Sequence, residues 1–238
     1  MALSQSEMCL IEEGVFFLDD PEVGRRFQEI KEKRFPFQTV EGLDFCRIST
    51  LQDERIRCII ESFFERSGLG LLKVYGSRPD TIFTFLNNPS SKPSKNSDEK
   101  NEGKQNVNVL LVLLLPRGST VVFYKRSHLH FLQARLDRIG LLQVPPESLE
   151  REGIESCEVT MKDGGFAIID GRLAFRIVNG QAIIVGFAVK EEVEVWAKMR
   201  LPRETGVMAK VEEMNGEKIV MNVEFVEGKS IASTTLPQ

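Results

Sequence analysis

The sequence predicts a mainly β chain, a sandwich or jelly-roll barrel with helices packed on it. Three observations predict it. Helical patterns gather in the N-terminal third, short β-rich segments separated by glycine-containing turns fill the part beyond residue 107, and Val107 to Leu115 is near-continuously apolar. A run of that last kind suits a strand buried on both faces. With 238 residues, 42% of them hydrophobic, the chain can bury a real core, which rules out a wholly disordered or fibrous protein. We read residues 1–238 as a single jelly-roll domain.

The elements follow in order. Asp20-Pro21 ahead of Val23, Phe27 and Ile30 reads as an N-cap, a proline in the first turn and an amphipathic helix. Thr50 and Asp53 resemble a capping box before Ile56, Ile59, Ile60, Phe63 and Phe64, with Gly68 as the stop. Residues 1–70 thus form an N-terminal helical part. Leu71 to Tyr75 and Thr81 to Leu86 read as short strands. Asn87 to Asn106 contains no hydrophobic side chain to bury, so 87–106 is expected to be a mobile low-complexity loop between two strands.

After it, Thr120 to Tyr124 reads as a strand and Phe131 to Leu142 as a helix, with Leu132, Leu136 and Ile139 on one face. Ser148 to Glu152 suggests a further helical turn. Glu158 to Met161, Phe166 to Ile169, Leu173 to Val178 and Ala182 to Val189 are four strand candidates, and Val193 to Met199, with Trp196, extends the set. Asn215-Gly216 between Val211 and Ile219 to Phe225 is the strongest hairpin signal.

Several classes of function are excluded at this stage. A net charge of −4 supplies no basic face for nucleic acid. The longest apolar run, Val109 to Leu115, is far shorter than the roughly 20 residues a membrane-spanning helix needs. Met1 to Leu18 carries Glu7, Glu12 and Glu13 and no basic region, unlike a secretory signal. Cys9, Cys46, Cys58 and Cys157 form no CxxC pair and read as buried free thiols of a cytoplasmic protein. There is no GxGxxG opening a helix, no GxxxxGK[ST] and no GxSxG; Gly68-Leu69-Gly70 reads as a turn. Glu12-Glu13, Glu191-Glu192 and Glu212-Glu213 are adjacent acids, which a strand would point to opposite faces.

The chain has two histidines, His128 and His130, in Ser-His-Leu-His. On a strand they would share a face and could chelate a metal, but the nearest acid is Asp137 and no third histidine exists. No metal and no cofactor are expected.

Two segments resemble a family. Gly118 to Leu132, with Ser127-His128, is similar to the strand and "PGSH" loop of phytanoyl-CoA dioxygenase-like oxygenases. Gly164 to Arg176 is similar to their "GDxxxFDGRLxHR" strand pair, and the resemblance covers about Val107 to Val189. It implies a double-stranded β-helix, Fe(II) held by two histidines and a carboxylate, and 2-oxoglutarate. Matched residue by residue, the iron site is erased. Phe175 falls on the distal histidine, no histidine precedes His128 to supply the HxD motif, and Ala182 to Ala188 lacks the arginine that would hold 2-oxoglutarate. Asp170, Gly171, Arg172 and Arg176 still match and read as supports of the fold.

The resemblance therefore implies no Fe(II)/2-oxoglutarate oxygenase activity from this chain alone. It implies a catalytically silent subunit that pairs, as a hetero- or homodimer, with an active oxygenase-like protein in metabolite biosynthesis. Two alternatives stay open. One is a metal-independent cyclase or isomerase, the other a binding protein for an apolar small molecule. For both, Tyr124, Arg172, Phe175 and Arg176 are the candidate substrate-binding residues. Arg172 and Arg176, four apart, would share a strand face and clamp a carboxylate or phosphate.

Overall fold

A computed structural model of the chain describes residues 3–87 and 107–227. Apart from Asn87, the loop expected at 87–106 lies outside them. The helices are α1 (Gln5–Glu12), α2 (Pro21–Glu32), α3 (Val40–Cys46), α4 (Glu54–Phe63), α5 (Lys190–Val193) and α6 (Thr205–Met214). The strands are β1 (Val15–Asp19), β2 (Ser67–Gly76), β3 (Phe83–Thr84), β4 (Val109–Leu115), β5 (Ser119–Lys125), β6 (Arg135–Leu136), β7 (Leu142–Gln143) and β8 (Glu155–Met161), followed by β9 (Gly165–Asp170), β10 (Ala174–Asn179), β11 (Gln181–Val189), β12 (Met199–Pro202), β13 (Ile219–Met221) and β14 (Val223–Val226).

Two six-stranded sheets face each other. The major sheet runs β1-β9-β4-β11-β2-β13 and the minor sheet β6-β7-β3-β10-β5-β8, with β12 and β14 forming a separate parallel pair. Eight strands follow jelly-roll order, with β9-β4-β11-β2 on one side and β3-β10-β5-β8 on the other. The expected fold class is what the chain adopts.

The apolar run at β4 shows why. Leu110, Val112 and Leu114 join a core under the helices, which includes Phe27, Ile30, Ile56 and Ile60. Val109, Leu111, Leu113 and Leu115 join a second core between the sheets. The strand needs apolar side chains on both faces because it is covered on both. Asp20 caps α2 through the Glu22 and Val23 amides, with Pro21 in the first turn, as the sequence predicts.

Other expectations are corrected. The N-terminal part is not wholly helical, because Val15–Asp19 forms β1 and pairs antiparallel with β9. Asp53, not Thr50, caps α4; the Thr50 hydroxyl donates to the Cys46 carbonyl at 2.7 Å inside a π-helical turn, Arg47–Leu51. Gly68 lies within β2, after the helix has ended at Phe63.

Phe131 to Leu142 is no helix. Gln133 takes a positive φ of 53°, Leu132 is buried, Leu136 is 77% exposed, and the segment holds the short pair β6 and β7. Val193 to Met199 is no strand, as α5 and a turn occupy most of it. Asn215-Gly216 joins α6 to β13 rather than closing a hairpin, and β13 pairs in parallel with β2. Of the four thiols, all unbridged, only Cys46 is fully buried, and desolvation pushes it up to about 12. No helix among the described residues is long and apolar enough to cross a membrane.

Candidate functional site

The two motif segments meet at one end of the minor sheet. A 3-10 turn, Ser127–Leu129, follows β5, and a tight turn at 170–173 joins β9 to β10. Ser127 Oγ accepts the Ala174 N–H at 2.8 Å. The buried Asp170 carboxylate accepts the Arg172 backbone N–H at 2.8 Å and Nε at 2.9 Å on Oδ1, and Nη2 at 2.6 Å on Oδ2. The Gly171 carbonyl accepts from the Phe85 and Leu86 amides. A Cβ on Gly171 would lie 2.8 Å from that of Val109, so the close approach requires glycine here.

His128 is buried beside this turn, its Nε2 3.1 Å from the Ile11 carbonyl near the end of α1. Desolvation holds its pKa below the ordinary histidine value. The Asp170 charge and the Ile11 hydrogen bond oppose that shift, and the charges of Arg172 and His130 add to it. These groups bind one another and knit α1, β5, β9 and β10 together.

The four candidate substrate-binding residues do not converge. Phe175 faces inward, directly opposite Phe123 of β5 and Phe83 of β3, and all three rings belong to the core between the sheets. Phe17 of β1 stacks on Phe123 with ring centres 6.2 Å apart. Arg172 precedes β10 and pairs with Asp170, so it does not share a strand face with Arg176. Arg176 and Tyr124 alternate with the inward rings and point to the outer face of the minor sheet.

Trp196 is the residue that sequence reasoning misplaced. After α5 the chain folds back, and the indole lies on two glycines of paired strands. A Cβ on Gly70 would be 2.7 Å from its Cε3, and one on Gly186 3.3 Å from its Cζ3. Phe85 meets it edge-on at 4.9 Å, and Nε1 donates to Glu192 at 3.0 Å. In the β2–β11 register Gly186 stands opposite Leu71 and Gly70 falls at the adjoining register shift, a closeness of two glycines that the sequence alone does not reveal.

These residues do not fit the iron and 2-oxoglutarate that the resemblance implies. At the distal-histidine position the Phe175 ring offers no donor atom and is wholly buried among other rings. The alternation of β11 turns Ala182, Ile184, Gly186 and Ala188 inward, so β11 itself offers no cation to a carboxylate, and Trp196 packs on Gly186 there. Lys73 of β2, opposite Ile184, lies over the Tyr75 ring and donates to the Ile139 carbonyl at 2.8 Å. Among the described residues no group of three His, Cys, Asp or Glu could hold a metal.

A separate groove of about 470 Å³ opens between α2 and α3. Its charges are already paired, Arg25 with Glu22 and Glu29 and Arg26 with Glu22 along α2, and Lys33 with Glu41 across it.

The sequence matches no known family profile and no curated protein. Solved structures do resemble it. Apo HygX from Streptomyces hygroscopicus aligns with a TM-score of 0.50 at 13% identity, over 80% of this chain and 88% of that one. The chain has the fold of HygX. HygX has also been crystallised with nickel and 2-oxoglutarate bound; that structure aligns with a TM-score of 0.49 at 12% identity, over 84% of this chain and 91% of HygX. EctD from S. alaskensis, crystallised with 2-oxoglutarate and 5-hydroxyectoine, aligns with a TM-score of 0.49 at 9% identity, over 79% of this chain and 76% of EctD. The likeness to HygX concerns the fold.

Proposed function

We propose that this chain is a catalytically silent protein of oxygenase fold. It pairs with an active Fe(II)/2-oxoglutarate oxygenase and supports it in metabolite biosynthesis, in a cytoplasmic setting suited to four unbridged thiols. The observation that carries the reading is Phe175, a buried phenyl ring locked against Phe83 and Phe123 where the resemblance expects a metal-binding imidazole. A jelly roll whose matched ligand position is taken by a core ring would act through its surfaces.

The two alternatives, a metal-independent cyclase or isomerase and a binding protein for an apolar molecule, have less support. Both need an open pocket between the sheets, and the Phe rings with Trp196 occupy that space. Co-expression with candidate oxygenases of the same pathway, followed by size-exclusion chromatography and assay of the partner, tests the proposal. Co-elution with raised partner activity is expected. A persistent monomer that leaves every partner's activity unchanged overturns it.

A further inference from the structure

We propose that Arg176 and Tyr124 form a carboxylate-binding site on the outer face of the minor sheet, apart from the space between the sheets. The starting observation is a missing counter-charge. Five arginines in the described residues are half-buried: Arg26, Arg47, Arg57, Arg172 and Arg176. Four of them have a carboxylate within 4 Å, namely Glu22, Asp44, Glu61 and Asp170. Arg176 has none among the described residues, and its Nε is buried without an acceptor. Leaving a buried charged donor unsatisfied is costly, so such a group is normally paired.

A second unpartnered group lies beside it. In the β5–β10 ladder Ala174 stands opposite Tyr124, and Arg176 opposite Val122. Tyr124 and Arg176 are therefore diagonal neighbours on one face, close enough for two long side chains to meet. The Tyr124 hydroxyl has no hydrogen-bond partner among the described residues either. The other two corners, Ala174 and Val122, are small, apolar and buried. Ala174 is covered by the cluster of Ile82, Leu132 and Val144, so the two polar heads sit at the edge of that apolar cluster.

The charges around the spot leave the cation uncompensated. In the row of Arg176 and Val122 the next residue is Glu158 of β8, which is exposed and forms no ion pair with Arg176. A guanidinium fork with a phenolic O–H alongside fits the two oxygens of a carboxylate, and the rim of the apolar cluster beside them suits a small apolar body.

The test is a titration of the full-length, isotope-labelled protein with benzoate, neutral benzamide and inorganic phosphate, followed by backbone amide NMR. Benzoate is expected to shift amides of β5 and β10 around Tyr124 and Arg176 saturably, while benzamide does not. Arg176→Gln should weaken benzoate about tenfold or more, as loss of a charge-assisted pair does. Arg176→Lys, which keeps charge but not the fork, and Tyr124→Phe should fall between, and they decide the matter if Arg176→Gln does not fold. Unchanged affinity in all three variants, equal binding of benzamide, or tighter binding of phosphate overturns the proposal. Since the site lies outside the core between the sheets, its failure leaves the silent-subunit reading standing, and the reverse holds too.

Discussion

Phe175 stands opposite Phe83 across the β3–β10 ladder, and both rings are buried between the two sheets. That contact converts a position read as a metal ligand's into a core position. Phe175→Ala is expected to cost about 3–5 kcal/mol, the usual loss for a buried aromatic. Urea denaturation measures it, and a loss under about 1 kcal/mol, typical of a surface change, would show that the ring does not pack as described.

Trp196 fills the same space from the other end. It is half-buried, so Trp196→Ala should cost less, about 2–3 kcal/mol. The gap it leaves is flat and apolar, bounded by Gly70, Gly186 and Phe85, and apolar cavities of this kind take up apolar ligands. Added indole is therefore expected to raise the melting temperature of the variant and not of the parent protein. An equal effect on both would contradict the packing.

The His128 site gives the stability a pH dependence. Its folded pKa lies below the ordinary value of 6.5, so between the two values the unfolded chain binds more protons than the folded one. Its contribution is complete above about pH 6.5 and is lost as pH falls through the lower folded value. Asp44, Asp53 and Glu22, all held low by arginine or lysine partners against their desolvation, act in more acidic solution. Stability should therefore fall between about pH 7 and pH 5, and His128→Gln should flatten that limb. A variant with the same slope would assign it elsewhere.

The buried Asp170 and the half-buried Arg172 form an ion pair at the β9–β10 turn. Asp170→Asn removes the charge that Arg172 Nε and Nη2 bind and is expected to cost about 3 kcal/mol. The double change Asp170→Asn with Arg172→Met should cost less than the two single changes summed. Strict additivity in thermal unfolding would mean that the pair carries no coupling.

Much of the fold is legible in the sequence, for physical reasons that differ by element. Gly165–Asp170, Ala174–Asn179 and Gln181–Val189 are β-rich runs between glycine turns, and each is read almost to its ends. Phe131 to Leu142 fails because helical spacing of Leu132 and Ile139 coincides with a backbone that Gln133 and Gly140 turn through positive φ. Asn215-Gly216 fails because the residues before it are helical, with Val207, Val211 and Met214 buried on one side, and because β13 finds its partner in β2, far away in the chain. That Phe175 falls where the resemblance expects a ligand is legible from the motif; its burial between the sheets is not. The separation of Tyr124 and Arg176 from Phe175 needs only strand alternation, once the register is known. The fold-back of Trp196 is set by tertiary packing alone.

The proposed silent role stands or falls on whether this jelly roll supports iron chemistry. The most direct measurement adds ferrous iron and 2-oxoglutarate anaerobically to the purified protein, determines bound iron, and then admits oxygen and quantifies succinate. The account predicts no stoichiometric iron and no succinate beyond the protein-free control. One iron per chain with turnover of 2-oxoglutarate would contradict it.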